Sequence, residues 1–514
     1  MMALARAFAV ALTGVRGDIV EVEADISAGL PAFVLIGLPD AALGESRKRV
    51  SAAAVNAGRP LTQRKLIVNL SPASLRKQGS GFDLAIAIAA LAAAGDVPAE
   101  SAARAVHLGE LGLDGRLRPV PGVLPAVLAA REAGFHRVFV PTANAGEAEL
   151  VDGVEVVAVT GLRAAAIAHG ADLEPVDVDP VEGPARDLAP PVEPDLADVA
   201  GNDEAVDALV AAAAGGHHVA MVGPPGAGKT MLARRLPSLL PDLTGDEALE
   251  STSIRSLAGL GVGSGLVRRP PFEAPHHTAS AVSLIGGGSG RIVPGAIVRA
   301  TNGVLFLDEA AEFPPSVLDA LRQPLEAGAV SIHRASGAAT FPARFQLVLA
   351  SNPCPCGRYG SLDDECTCTP IARRRYLARM SGPLLDRVDI HLTVRRLGLS
   401  ALRTASDAGP PGRSSAALRA RVEAARRAAA SRLAGTGWRR NADVAGVWLR
   451  TGARRIGTTA IAPLDRALER GAITMRGYDR ALRLAWTLAD LDGDACPTAD
   501  HIGRALFLRR GVGA

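Results

Sequence analysis

The sequence predicts a multidomain α/β protein: an N-terminal α/β domain, an α/β core and a C-terminal helical region. Three observations predict it. Over residues 1–170, apolar β-type stretches alternate with Ala-rich helical ones. Residues 223–230 read Gly-Pro-Pro-Gly-Ala-Gly-Lys-Thr, and Val-Leu-Phe-Leu-Asp-Glu follows at 304–309. Beyond residue 400 the chain turns to Ala/Arg-rich stretches of helical character.

In order, the first domain (1–170) has strand-like runs at Gly17 to Asp25, Ala32 to Ile36 and Lys65 to Leu70. Residues 171–198 form an acidic, Pro-rich linker, because 171–200 hold nine acids, one arginine and six prolines; such a segment is expected to be extended and solvated. The core spans 199–395 and the helical region 396–514, with Ser406 to Ser415 as a hinge. Helices are expected at Ser415 to Leu433, from Met475 onward and at His501 to Arg510.

Composition limits the class. The 514 residues carry a net charge of +3 with ordinary apolar content, which argues against global disorder. Leu84 to Gly95 is the longest apolar stretch and is too short to span a bilayer. The run from Ala7 to Leu12 is too brief for a secretory signal and soon meets Asp18 and Glu21, so no membrane partner and a cytoplasmic location are expected. Charge is uneven: residues 401–514 hold twenty arginines against ten acids, which suits nucleic acid but is equally what a solvated helix face carries.

The motif Gly223-Pro224-Pro225-Gly226-Ala227-Gly228-Lys229-Thr230 fits the phosphate loop. In such a loop backbone N–H groups close round the phosphates, Lys229 reaches the β/γ oxygens and Thr230 holds Mg²⁺. An apolar strand ending in two carboxylates has the form of its partner element: Asp308 would complete the Mg²⁺ shell and Glu309 would activate water. Of 56 basic residues only four are lysine, and Lys229 is the last of them. A lysine kept in so arginine-rich a chain points to a role that arginine does not fill. ATP with Mg²⁺ is the expected cofactor. A polar turn and helix, Glu312 to Ala327, comes next, and a second apolar strand then ends at Asn352, where an amide would sense the γ-phosphate; the alternative is a strand-end cap. Arg387, just after a short helix, would reach a neighbouring subunit's nucleotide, or else form a surface ion pair.

These residues carry a resemblance. Gly215 to Ala233, Ala274-Pro-His-His-Thr-Ala-Ser, Asn302 to Glu309 and Ser351-Asn-Pro-Cys-Pro-Cys-Gly are similar to the YifB/ComM family of AAA+ ATPases, relatives of the magnesium chelatase ATPase subunit. Residues 296–301 depart from the family's usual Leu-Ala-His. The resemblance implies a hexameric MgATP-driven motor. The family's competence-protein branch acts as a DNA branch-migration helicase in natural transformation, so single-stranded or branched DNA is an expected partner; a protein-remodelling or chelatase-like ATPase is the alternative. It also implies a helical lid whose arginine senses nucleotide in cis. Arg476 is chosen for that role, with Arg480 and Arg483 as alternatives. His276 and His277 would lie in an insertion near the pore, or simply satisfy backbone groups.

Two further readings concern the ends of this core. Asn69 to Asp83 and Gly109 to Val123 resemble the nucleophile and lysine regions of a Lon-type protease domain, but the lysine position falls near Leu124 and residues 78–200 contain no lysine. Ser80 therefore lacks a base, and the domain is expected to be inactive as a peptidase. Cys354-x-Cys356 and Cys366-x-Cys368 can offer four thiolates to one structural zinc, with reduced, metal-free cysteines as the alternative. With Arg373 to Arg375 they form a basic knuckle that could touch DNA. Cys496 stands apart and is expected to be structural.

Overall fold

The structure is a computed structural model that describes the chain except residues 1–2, 28, 38–40, 62–64, 76, 78, 184–192, 264, 289–291, 335–336, 361–365, 397–412, 452–454 and 510–514. The expected hinge at 406–415 therefore lies mostly outside the described residues, and so does Arg510.

The N-terminal domain is built on seven strands: β1 (Ala3–Thr13), β2 (Arg16–Ser27), β3 (Ala32–Ile36), β4 (Lys65–Ser71), β5 (Val106–His107), β6 (Arg137–Pro141) and β7 (Glu155–Val159). Their order is β3-β4-β2-β1-β5-β6-β7, with β1/β2 and β2/β4 antiparallel and the other pairs parallel. Helix Asp83–Ala94 is buried along nearly its whole length and is apolar on every face, as a fully covered helix must be. It packs on β1, whose Ala5, Ala7, Ala9 and Ala11 alternate into the core, small side chains that admit a close helix.

The core sheet comprises β8 (Val219–Val222), β9 (Phe272–Glu273), β10 (Val304–Leu307), β11 (Gln346–Ser351) and β12 (Ile390–Thr393). All pairs are parallel, in the order β9-β10-β11-β8-β12. β8, β10 and β11 are buried on both faces, which explains their unbroken apolar runs. The first strand lies inside the sheet, so the chain leaves β8 on one side and returns on the other. That reversal opens a crevice at the carboxyl ends of β8 and β11.

The helical region shares one apolar core with the sheet: helices Asp203–Gly215, Ser415–Arg432 and Met475–Asp492 pack together around Val422, Leu482 and Trp486. Polar ties complete the joint. Arg426 donates to the Ala213 carbonyl at 3.0 and 2.7 Å, Arg509 to that of Val388 at 3.0 Å, and Arg480 pairs with the buried Asp389 at 2.6 Å. The N-terminal domain rests on the core through Leu12 and Gly122 against Leu257, and through Ser256, which donates to the buried Glu147. No described helix is long and apolar enough to cross a membrane.

The run at Ala7 to Leu12, read as too brief for a secretory signal, belongs to a strand of the N-terminal sheet. Three local expectations are corrected. The turn and helix expected at Glu312 to Ala327 are a 3₁₀ turn followed by two short helices rather than one, Pro315–Asp319 and Arg322–Ala327. Pro324 has no N–H to return to Ala320, and the helix is interrupted one turn before the proline, at Ala320 and Leu321. The linker's end is fastened: Glu193 pairs with Arg269 and Arg419, and Asp195 accepts the Ser415 N–H at 2.8 Å. Cys496 is exposed.

Candidate functional site

The phosphate loop leaves β8 and enters helix Lys229–Leu239. Gly226 and Gly228 adopt φ of +75° and +93°, a turn that aims successive N–H groups into the crevice and that other residues resist. Lys229 is buried; its ammonium donates to the Gly223 and Pro224 carbonyls at 2.6 and 3.0 Å and to Asn352 Oδ1 at 3.3 Å. Burial lowers its pKa, and Asp308 and Glu309 act against that shift. The Thr230 hydroxyl donates to Asp308 Oδ2 at 2.7 Å, which joins the two Mg²⁺ candidates across 78 residues of sequence.

At the end of β10, Glu309 takes a left-handed conformation, φ +51°, with its N–H on Asp308 Oδ1 at 3.0 Å. This uncommon backbone separates the two carboxylates: Asp308 faces Thr230 while Glu309, half exposed, meets His277 Nδ1 at 3.1 Å. Together Pro225, Gly226, Ala227, Gly228, Lys229, Thr230, Asp308, Glu309 and Asn352 line one cavity of about 400 Å³. The oxygen donors of Thr230 and Asp308 suit Mg²⁺, and the glycine-rich loop at a helix N-terminus suits a polyphosphate.

The arginines are placed elsewhere. Arg387 is buried, donating to Glu326 and to the Pro383 carbonyl at 2.5 Å, and does not line this cavity. Arg476 is exposed at the start of helix Met475–Asp492. Arg480 is held by Asp389 and Arg483 by the Val444 carbonyl at 2.7 Å, so none of the three lid candidates lines the cavity either. His277 is the residue whose contact sequence reasoning missed: its motif was noticed, but pairing with Glu309 depends on two loops meeting above the sheet. His276 packs against it with ring centres 4.1 Å apart and planes tilted by 34°, and contacts Thr278 Oγ1.

Beside the cavity, the sulfurs of Cys354, Cys356, Cys366 and Cys368 lie within 4.8 Å of one another, with Cys354–Cys356 at 3.4 Å and Cys366 at 3.7 Å from each of them. Zn–S bonds of about 2.3 Å in a tetrahedron require S–S edges of about 3.8 Å, so the donor set fits zinc. Arg373 lies over the Tyr359 ring at 3.9 Å, and Arg374 and Arg375 are exposed on helix Pro370–Leu377.

In the N-terminal domain, Ser80 lines a cavity of about 540 Å³ between that domain and the core and donates to Glu110. Leu124, near which the Lon resemblance would put a lysine, is fully buried, and Lys77 is engaged by the Leu70 and Pro72 carbonyls.

Sheet order, phosphate loop, the acidic pair at 308–309 and the amide at the end of β11 define a P-loop ATPase of the AAA+ class. Family models agree along the chain: magnesium chelatase subunit ChlI matches residues 195–402, subunit ChlI of Mg-chelatase 22–144, and the ChlI C-terminal model 412–509. The chain is 50% identical over 511 residues to an uncharacterized protein of Mycobacterium tuberculosis, covering 99% of each. It is 40% identical over 509 residues to competence protein ComM of Haemophilus influenzae (99% of this chain, 98% of that one). With the uncharacterized YifB of Escherichia coli it shares 38% over 503 residues, covering 97% and 96%. It belongs to the YifB/ComM family of magnesium-chelatase-like ATPases. A shorter likeness, 32% over 147 residues, links it to Lon protease 2 of Thermus thermophilus.

Proposed function

We propose that the protein is a ring-forming motor that hydrolyses MgATP to move along single-stranded or branched DNA. The convergence of Lys229, Thr230, Asp308, Glu309 and Asn352 on one cavity carries the ATPase half of this reading. Lys229 binds the β/γ-phosphates, Thr230 and Asp308 hold Mg²⁺, and Asn352 senses the γ-phosphate. Glu309 takes the proton of the attacking water, and the developing charge on the transferred phosphoryl group is met by Lys229, Mg²⁺ and Arg387 of a neighbouring subunit. Arg387 lies away from its own cavity, which suits action in trans in a hexamer; it must exchange Glu326 for the neighbour's nucleotide. Arg476 acts in cis when the lid moves. The four cysteines hold a structural zinc, and the N-terminal domain serves contact or assembly rather than peptide cleavage.

DNA as the substrate is supported by kinship with a competence protein, by exposed Arg374 and Arg375 beside the cysteine knuckle, and by the basic lid. Magnesium chelatase models along the chain favour the second reading, an ATPase that remodels a protein. A synthetic four-way junction decides between them. Wild type with ATP should separate the junction's arms and Glu309→Gln should not; an unchanged junction under an active, assembled ATPase favours the protein substrate.

A further inference from the structure

The cysteine cluster and the nucleotide cavity share a wall. Asn352, whose amide oxygen meets Lys229, is two residues before Cys354. Gly357, directly after Cys356, closes the turn with its N–H on the Cys354 carbonyl at 3.0 Å. It does so at φ +76°, pressed so close to the phosphate loop that an added Cβ would stand 2.8 Å from Pro225 Cγ and 4.0 Å from Asn352 Cγ. Real Cβ contacts are not that short, so glycine is required twice over, for its backbone and for its missing side chain. The Cys354–Gly357 turn thus braces Pro225 on one side and fixes where the sensor strand ends on the other.

The geometry points to a metal site that sets the nucleotide site: a zinc ion held by Cys354, Cys356, Cys366 and Cys368 clamps the turn that positions Asn352 and the phosphate loop. This rests on the zinc reading above and adds to it a coupling. Four thiol groups crowded within 4.8 Å have no disulfide among them, only long sulfur contacts of 3.4 to 3.7 Å to hold the turn. Tetrahedral zinc supplies four strong bonds, two to Cys354 and Cys356 on the turn and two to Cys366 and Cys368. Without it the turn is free to relax away from Pro225. A displacement of about 1 Å in a positioning group costs about 10²-fold in rate. The same turn sets the affinity for MgATP, and because binding free energies are reciprocal, MgATP in turn tightens the hold on the metal.

The test uses the full chain. Zinc content is measured first, by thiol-reagent release into a colorimetric chelator, with one equivalent per chain expected; none in freshly purified protein overturns the zinc reading itself. The double variant Cys366→Ser/Cys368→Ser removes two ligands while leaving Cys354 to Gly357 untouched. It should lose the metal, keep its circular dichroism, and lose at least tenfold in nucleotide affinity, with kcat falling as well. Gly357→Ala keeps all four ligands and should retain zinc while showing the same direction of loss, which separates the brace from general unfolding. In cobalt(II)-substituted wild type with excess Mg²⁺, adding ATP should slow release of cobalt to a chelator. Normal hydrolysis in the metal-free double variant, or release rates indifferent to ATP, overturns the coupling and leaves the zinc reading standing.

Discussion

Arg480→Ala should loosen the lid from the core, and the structure sets the size of the effect. Asp389 is 2% exposed and touches Arg480 at 2.6 Å, His217 Nδ1 at 3.3 Å and the His218 N–H at 3.3 Å. Burial alone would push the Asp389 pKa up. Arg480 and the two histidines outweigh burial and hold it well below the usual carboxylate range. At about 4 Å between charge centres and an effective dielectric of about 20, the pair's attraction is about 4 kcal/mol. Removing one member of such a pair, and so stranding the other, costs about 3–5 kcal/mol. A carboxyl with a depressed folded pKa stabilises the fold above its unfolded pKa of about 4, and that contribution is lost as pH falls through the lower folded value. At neutral pH the full effect should therefore show. Hydrogen exchange of helix Met475–Asp492, read by mass spectrometry, should lose roughly 10²-fold or more in protection, since 1.4 kcal/mol is about tenfold. Arg480→Lys should recover part of it. A change below threefold in Arg480→Ala would refute the claim that this pair fastens the lid.

Three other outcomes follow from named contacts. Lys229→Ala should reduce ATP hydrolysis about 10²-fold or more, and near-normal turnover would overturn the site assignment. Mixing Arg387→Ala with wild-type subunits should poison the assembly disproportionately to dose, because an arginine finger is worth about 10³–10⁵ in rate; strictly additive activity would argue against action in trans. In the N-terminal domain, His107 and His169 share a hydrogen bond of 2.9 Å, and burial lowers their pKa values to about 3 and about 4. The unfolded chain then binds protons that the fold does not, so stability should decline as pH falls from about 6.5 to 4. His107→Phe/His169→Phe should flatten that slope in thermal melts, and an unchanged slope would refute the assignment.

What the sequence made legible was what is local. The phosphate loop, Asp308-Glu309 and Asn352 each stand at the end of a short apolar strand, so their spacing alone placed them on one sheet edge. Contacts between distant loops were not legible: His277 meets Glu309, and Asp389 meets Arg480 across 91 residues. Strand Ala3–Thr13 was hidden because its inward positions are alanines, which carry little strand preference by themselves. The acidic composition of 171–198 suggested a solvated linker, yet Glu193 is drawn onto Arg269 and Arg419, a pairing no composition count reveals. The lid arginines were the hardest to rank, because Arg476, Arg480 and Arg483 share one helix and only the packing shows which faces what.

The central claim is a nucleotide-driven motor on DNA, and steady-state ATP hydrolysis tests it most directly. Rates are compared with and without single-stranded DNA and a four-way junction, with Glu309→Gln as the blank. The account predicts strong stimulation that weakens as salt rises, because contacts to phosphates release counterions. Hydrolysis indifferent to DNA, in an oligomer shown to be intact, would contradict it.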